Sequence, residues 1–236
     1  MRKATVVVAA LLALLLMAMP VGAITWGQAD DGAHPNVGAM VVDWPDYGPY
    51  QWCSGTLIHP QVFLTAGHCT DGLDEYGIET VWVNFDDYAV NPDSLRLVAE
   101  VITHPEYAWG GADPHDVGLL ILDEPVEGID PAPLPEPGFL NNLKADKELR
   151  PGGPEAPKFT VVGYGGTLEW PPPEITYDDV RQVAYSEYIA LTKVWLHMSQ
   201  LLLKGDGGTC FGDSGGPAFW VDPDTGDETI VGVTSW

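Results

Sequence analysis

Three residue types that together can run acyl transfer lie far apart in this chain. His68 sits in Leu64-Thr65-Ala66-Gly67-His68-Cys69, Asp116 in Pro114-His115-Asp116-Val117-Gly118-Leu119-Leu120, and Ser214 in Gly212-Asp213-Ser214-Gly215-Gly216-Pro217. A serine hydroxyl is a weak nucleophile at its free pKa and needs a base to take its proton. It also needs backbone N–H groups facing the oxyanion that forms after attack. Glycines on both sides of Ser214 permit the backbone path that frees such groups. Singly, each residue has an ordinary explanation: a surface histidine, an aspartate opening a strand, a serine in a glycine-rich turn. Together they supply nucleophile, base and orienting acid.

Chain order decides between two scaffolds. Gly212-x-Ser214-x-Gly216 also satisfies the nucleophile-elbow pattern of α/β-hydrolases, in which a histidine follows the serine. The last histidine here is His197, ahead of Ser214. The order His68, Asp116, Ser214 is instead that of the chymotrypsin type.

The elements that must position these residues read as short strands. Apolar and β-branched runs fall at 37–42, 51–58, 62–66, 81–85, 95–102, 117–122, 159–163, 217–221 and 229–235, punctuated by glycine, proline and aspartate. Many short strands with turn signals predict a sandwich or barrel. Residues 123–158 read as a long connection with one helical turn near 141–149. Residues 185–203 read as a helix whose aromatic and leucine positions pack a core.

The chain has 236 residues, enough for one domain or two subdomains sharing a core. Its formal charge is −24, from 34 acids against 10 bases. No basic face is available for nucleic acid, and the acidity fits a solvated surface, a salty habitat or a preference for basic ligands alike. Residues 1–23 read as a secretory signal: Arg2 and Lys3, an apolar run at 6–19 too short to span a bilayer comfortably, Pro20, and a small-residue end at Ala23. An uncleaved anchor is the competing reading. Either places the body in an oxidising space, where three cysteines mean one bridge and one leftover.

The chain resembles the chymotrypsin/trypsin-like serine proteases (peptidase family S1). The resemblance rests on Cys53-Ser54-Gly55-Thr56-Leu57-Ile58 with Leu64-Thr65-Ala66-Gly67-His68-Cys69, on Asp116-Val117-Gly118-Leu119-Leu120, on Val162-Gly163-Tyr164-Gly165, on Gly212-Asp213-Ser214-Gly215-Gly216-Pro217, and on Val231-Gly232-Val233-Thr234-Ser235-Trp236. It implies an all-β fold of two antiparallel six-stranded β-barrels, the first at about 24–125, a connection at about 126–158 and the second at about 159–236. The active site would lie between them. It implies His68, Asp116 and Ser214 as the catalytic triad, with the N–H groups of Gly212 and Ser214 as the oxyanion hole. It also implies a disulfide between Cys53 and Cys69, closing a loop of about 15 residues worth roughly 3 kcal/mol.

Several positions depart from the family pattern. The family continues past the position of Trp236 with a last strand and helix, so the second barrel is expected to be incomplete and Cys210 to lack its partner. The P1 pocket would be formed by Gly208, Ser235 and Trp236. Gly208 stands where an acid would select basic residues, so trypsin-like specificity is not expected from that position; Asp206 lies two residues away. The family anchors a freed N-terminus on the acid before the serine, here Ile24 on Asp213, which would make removal of 1–23 the activating step. Trp26, where the family often has glycine, makes that insertion harder. Asp222-Pro223-Asp224-Thr225-Gly226-Asp227 faintly resembles a calcium loop but lacks its spacing and reads as a hairpin turn. Asp86-Asp87 reads as a solvated turn rather than a cation site.

The resulting expectation is a secreted, monomeric serine endopeptidase acting on protein or peptide substrates through an acyl-enzyme, without cofactor or metal and without binding nucleic acid or membrane. An inactive homologue serving as a binding module and a serine esterase on the same scaffold are the alternatives.

Overall fold

The computed structural model describes residues 24–153, 156–169 and 174–235; the signal reading of 1–23 and the pocket position Trp236 lie outside the described residues. Strands dominate. In chain order they are β1 (Gln28–Ala29), β2 (Val37–Trp44), β3 (Gly48–His59), β4 (Val62–Thr65), β5 (Val81–Asn84), β6 (Arg96–Thr103) and β7 (Gly118–Leu122). After a connection come β8 (Lys158–Gly163), β9 (Thr167–Glu169), β10 (Glu174–Thr176), β11 (Gln182–Leu191), β12 (Leu196–Met198), β13 (Pro217–Val221) and β14 (Glu228–Val233). Among the described residues the α-helices are short, α1 (Gly67–Thr70) and α2 (Phe139–Ala145). The helical turn expected at 141–149 is α2, which begins and ends earlier than that range.

The first unit is a closed antiparallel barrel in the order β2-β3-β4-β7-β6-β5, with β5 pairing back onto β2. The second is a six-stranded antiparallel sheet, β1-β11-β8-β13-β14 with β12 on β11. It is an open sheet among the described residues, so the architecture is one closed barrel and one open partner. Closure removes the strand edges of the first unit.

Strand β2 explains how the two units meet. Side chains on a strand alternate between faces, and β2 is buried on both. Met40 and Val42 fill the barrel with Leu57, Phe63, Leu120 and Leu122. Val37 turns the other way, into a cluster with Leu64, Val162, Phe219 and Ile230 from both units. Ala39 and Val41 pack against Tyr164 of the second unit.

The expected helix at 185–203 is a correction. The segment forms most of β11, a turn and β12. Strand β11 is hydrogen-bonded to β1 and β8, and to β12 near its end. Its residues are buried on both faces through Ser186, Glu187 and Tyr188. A central strand covered on both sides lacks a clean two-residue alternation, so its apolar letters mimic a helix. The Thr192 hydroxyl accepts the N–H of Trp195 at 2.8 Å and reverses the chain.

Candidate active site

His68 is delivered by the step from β4 into α1. That helix is one turn long, and the Thr70 hydroxyl donates to Gly67 O at 2.9 Å inside it. The neighbouring Cys69 is bridged to Cys53 of β3, with Cα atoms 6.2 Å apart. The Trp52 indole N–H donates to Cys69 O at 3.1 Å, adding a second tie to the same turn. Cys53, Cys69 and His68 bring their side-chain ligand atoms within 4.8 Å of one another. A metal would need thiolates there, and both sulfurs are engaged in the disulfide.

Asp116 enters two residues before β7, after His115 in a left-handed conformation with φ 48°. Its two oxygens divide their work. Oδ1 accepts the backbone N–H of His68 at 2.8 Å, and Oδ2 accepts Nδ1 of the same residue at 2.8 Å. The Ser235 hydroxyl donates to Oδ2 as well. Burial pushes the Asp116 carboxyl up, but the hydrogen bonds from the His68 ring, the Ser235 hydroxyl and the His68 N–H together hold it below its ordinary value. A carboxylate on Nδ1–H leaves Nε2 of the ring as the basic nitrogen. The Asp116 side chain is 5% exposed and the His68 side chain 19%, so the carboxylate is sheltered while the imidazole reaches solvent. The exposed Trp109 ring stands edge-on to His68 at 5.7 Å.

Ser214 rides on a loop ahead of β13 that is seated on the first barrel. Ser214 O accepts Ser54 N at 2.8 Å, and Gly215 N donates to Thr234 O at 2.7 Å. Gly215 has φ 83°, and a Cβ there would lie 2.0 Å from Thr65 Oγ1 and 2.8 Å from Ala66 N. Only a glycine lets the serine loop lie this close to the backbone that leads into His68. Ser214 O is 3.7 Å from Cys69 Sγ, which puts the serine segment against the residue next to the histidine. Gly212, at φ 96°, has its carbonyl held by Gln51 Nε2 and Ser54 Oγ, each at 2.9 Å. That bracing fixes the peptide on one side, and the N–H groups of Gly212 and Ser214 donate to no group among the described residues.

A family model described as Trypsin matches residues 24–236. The chain belongs to the trypsin family. A trypsin from Saccharopolyspora erythraea is 30% identical over 214 residues, covering 86% of this chain and 81% of the relative. A mouse tryptase is 31% identical over 206 residues, covering 78% of this chain and 68% of the relative. A trypsin from Phaedon cochleariae is 28% identical over 214 residues, covering 84% of this chain and 75% of the relative. This trypsin-family protein is a serine endopeptidase.

The protease holds Asp213 in an unusual setting. The side chain is fully buried, and its oxygens accept Gly165 N and Cys210 N, each at 2.8 Å. Burial pushes the carboxyl up to about 7, against the lowering effect of those two N–H groups. Ile24 and Asp213, expected as an anchored pair, are apart in this chain: Ile24 N donates to Gln182 Oε1 at 3.0 Å. With Ala23 attached, that nitrogen is a peptide N–H and carries no charge. Trp26 follows at φ 59° and is 46% exposed. A Cβ at Gly165 would fall 2.6 Å from the Asp213 carboxyl, which explains the glycine after Tyr164. Nothing in the letters around Gly165 announces that purpose, because the carboxyl it admits belongs to a distant segment.

Of the residues expected to form the P1 pocket, Gly208 and Ser235 have different surroundings. Gly208 N donates to Thr25 O at 3.0 Å, and the Gln200 side chain fills the space a Cβ would need. Ser235 lines a cavity of about 580 Å³ with Thr209, Leu196 and Val231, and Gly208 is not among its lining residues. Asp206 is buried with Lys158 Nζ 3.0 Å away, which leaves it engaged in a structural ion pair. Cys210 is a free, half-buried thiol. The 222–227 segment is the β13–β14 turn, in which Asp222 Oδ1 accepts the N–H groups of Asp224 and Thr225. Asp87 is more than a solvated turn residue: its Oδ1 lies 2.7 Å from Arg181 Nη2.

That arginine carries no signal in the sequence. Arg181 is buried, with Nε donating to Asp30 Oδ2 at 2.9 Å and Nη1 to the Tyr164 hydroxyl at 3.0 Å. Asp30 also takes the backbone N–H and Nδ1 of His34. Asp30 and Arg181 stand 151 positions apart, so no local pattern announces them.

Proposed function

We propose that Ser214 is the nucleophile, His68 the base and Asp116 the acid that orients it. The observation that carries this is the double contact of Asp116 with His68, through Nδ1 and the backbone N–H together. One contact sets the tautomer, and the two together fix the ring. His68 takes the Ser214 proton as the hydroxyl attacks the scissile carbonyl. It returns that proton to the leaving amine, and water then hydrolyses the acyl-enzyme by the same route. The N–H groups of Gly212 and Ser214 receive the oxyanion, a role supported by the braced Gly212 carbonyl and the two undirected donors.

Secretion is part of the same reading. The Cys53–Cys69 disulfide fits an extracellular protein, and residues 1–23 have a leader's composition. Release of the Ile24 amine would supply the cation that buried Asp213 lacks among the described residues, which would complete the oxyanion segment. Replacing Ser214 by alanine tests the core of the proposal. Ser214→Ala should lower peptide hydrolysis by about six orders of magnitude, read by peptide turnover of protein whose fold is checked by circular dichroism. A variant keeping a tenth of the wild-type rate contradicts it.

A further inference from the structure

We infer that Ser54 and Gln51, two side chains of the first barrel, are positioning residues for the reaction: together they hold the Gly212 carbonyl and thereby fix the angle between the two oxyanion donors. This rests on the proposed role of the Gly212 and Ser214 N–H groups. Three consecutive peptide units make up the segment. A trans peptide is planar, with its N–H pointing opposite to its C=O, so holding the carbonyl aims the N–H. The Phe211 carbonyl accepts Gly166 N at 2.8 Å, which aims Gly212 N. The Asp213 carbonyl accepts Gly216 N at 2.9 Å, which aims Ser214 N.

The middle unit joins those two planes and is held differently. Its N–H, on Asp213, donates to Cys210 O at 3.1 Å. Its carbonyl, on Gly212, has no backbone partner among the described residues. Gln51 Nε2 and Ser54 Oγ donate to it instead, each at 2.9 Å. A carbonyl oxygen has two lone pairs, so these two donors saturate it. Gly212 stands at φ 96° and, as a glycine, has no Cβ to oppose other backbone angles. Turning this one peptide would redirect the Gly212 and Ser214 N–H groups relative to each other. The two side chains oppose that turn from the carbonyl end.

Both residues are themselves fixed. Ser54 and Gln51 are buried, which shelters their bonds from competing water. The Ser54 hydroxyl also accepts Tyr164 N at 3.0 Å, its N–H donates to Ser214 O at 2.8 Å, and its carbonyl accepts the Thr65 hydroxyl at 2.8 Å. One serine thus ties the Gly212 carbonyl, the carbonyl of Ser214, the residue after β8 and the strand that leads into His68. Gln51 Nε2 donates to Cys53 O at 3.2 Å as well, which sets its amide. A Cβ on Gly212 would lie 3.0 Å from Gln51 Oε1, so that amide packs directly against the glycine.

The test compares wild type, Ser54→Ala, Gln51→Leu and the double variant on a peptide amide that the wild type hydrolyses, with circular dichroism as the check on folding. For an amide, whose acylation step is slow, KM reports binding and kcat the chemical step. Either donor alone still holds the carbonyl. Each single variant should therefore lose about threefold in kcat, and the double variant about a hundredfold, approaching the loss of an oxyanion donor itself. KM should stay within about twofold in all three. Affinity for the matching peptide aldehyde, whose adduct on Ser214 carries the oxyanion, should fall in step with kcat. A double variant within about tenfold of wild type in kcat, or one whose aldehyde affinity is unchanged, overturns the inference. Should the double variant not fold, Ser54→Ala decides alone: a loss of about threefold in kcat at constant KM supports the inference, and an unchanged kcat overturns it. A wild type that neither hydrolyses amides nor binds an aldehyde would instead overturn the proposed triad.

Discussion

Asp213 sits one residue before the serine and carries the most informative electrostatics at the residue scale. Its carboxyl is buried and has two backbone N–H partners, and burial still dominates, leaving it at about 7. An acid whose folded pKa lies above its unfolded value binds more protons when folded. Stability of the unprocessed chain should therefore fall as pH rises from about 4 through about 7, by on the order of 4 kcal/mol. Urea unfolding of the intact chain across that window measures it, with Asp213→Asn as the reference that should lose most of the slope. An intact chain and an Asp213→Asn chain with the same slope would show that the carboxyl is not held in this way. That burial leaves no trace in the local letters. The residues around Ser214 carry the family's serine motif in the local letters, whereas the Asp213 cradle depends on Gly163 and Gly165, about 50 positions earlier.

At the scale of elements, the apolar runs are legible because most strands here are short β-branched or aromatic stretches whose boundaries fall at glycine, proline and aspartate. Runs such as 37–42, 159–163 and 217–221 lie within a few residues of β2, β8 and β13. Strand β11 escapes that reading because its exposed residues, Tyr185 and Ile189, fall four apart, a spacing that the letters share with a helix. The network it introduces escapes as well. Arg181, one residue before β11, joins Asp30 after β1 to Asp87 after β5, and so ties the second sheet to the barrel. The side chains of Arg181 and Asp30 are 2% and 0% exposed. Removing one partner of such a pair strands the other charge in a poor solvent. Arg181→Met should cost about 3–5 kcal/mol in urea unfolding at pH 7; a loss under about 1 kcal/mol would mean the pair contributes only surface-like energy. His34 sits on the same aspartate. Burial alone would depress its pKa, but the Asp30 and Glu228 carboxylates raise it to about 9. Its contribution is therefore fully present below about 6.5 and lost as pH rises through 9.

The whole molecule divides the labour between its two units. The closed barrel carries His68 and Asp116, locked by the Cys53–Cys69 bridge and the packing of β2. The second sheet carries the serine loop, and Gly215, which admits no side chain, lets that loop lie against the barrel. Chain order tells which fold can bring these segments together. The placement of Gly208 and Ser235 is not legible in the same way, because it depends on the Gln200 side chain and on the pairing of Gly208 with Thr25. The central claim, that Ser214 attacks because His68 and Asp116 are arranged to take its proton, has a direct test. The purified protein is treated with a fluorophosphonate, and the adduct is located by tandem mass spectrometry of its peptides. A single phosphonyl group on Ser214, formed at a rate that falls sharply in Asp116→Asn, is the expected result; an adduct on another serine, or none on folded protein, would contradict that claim.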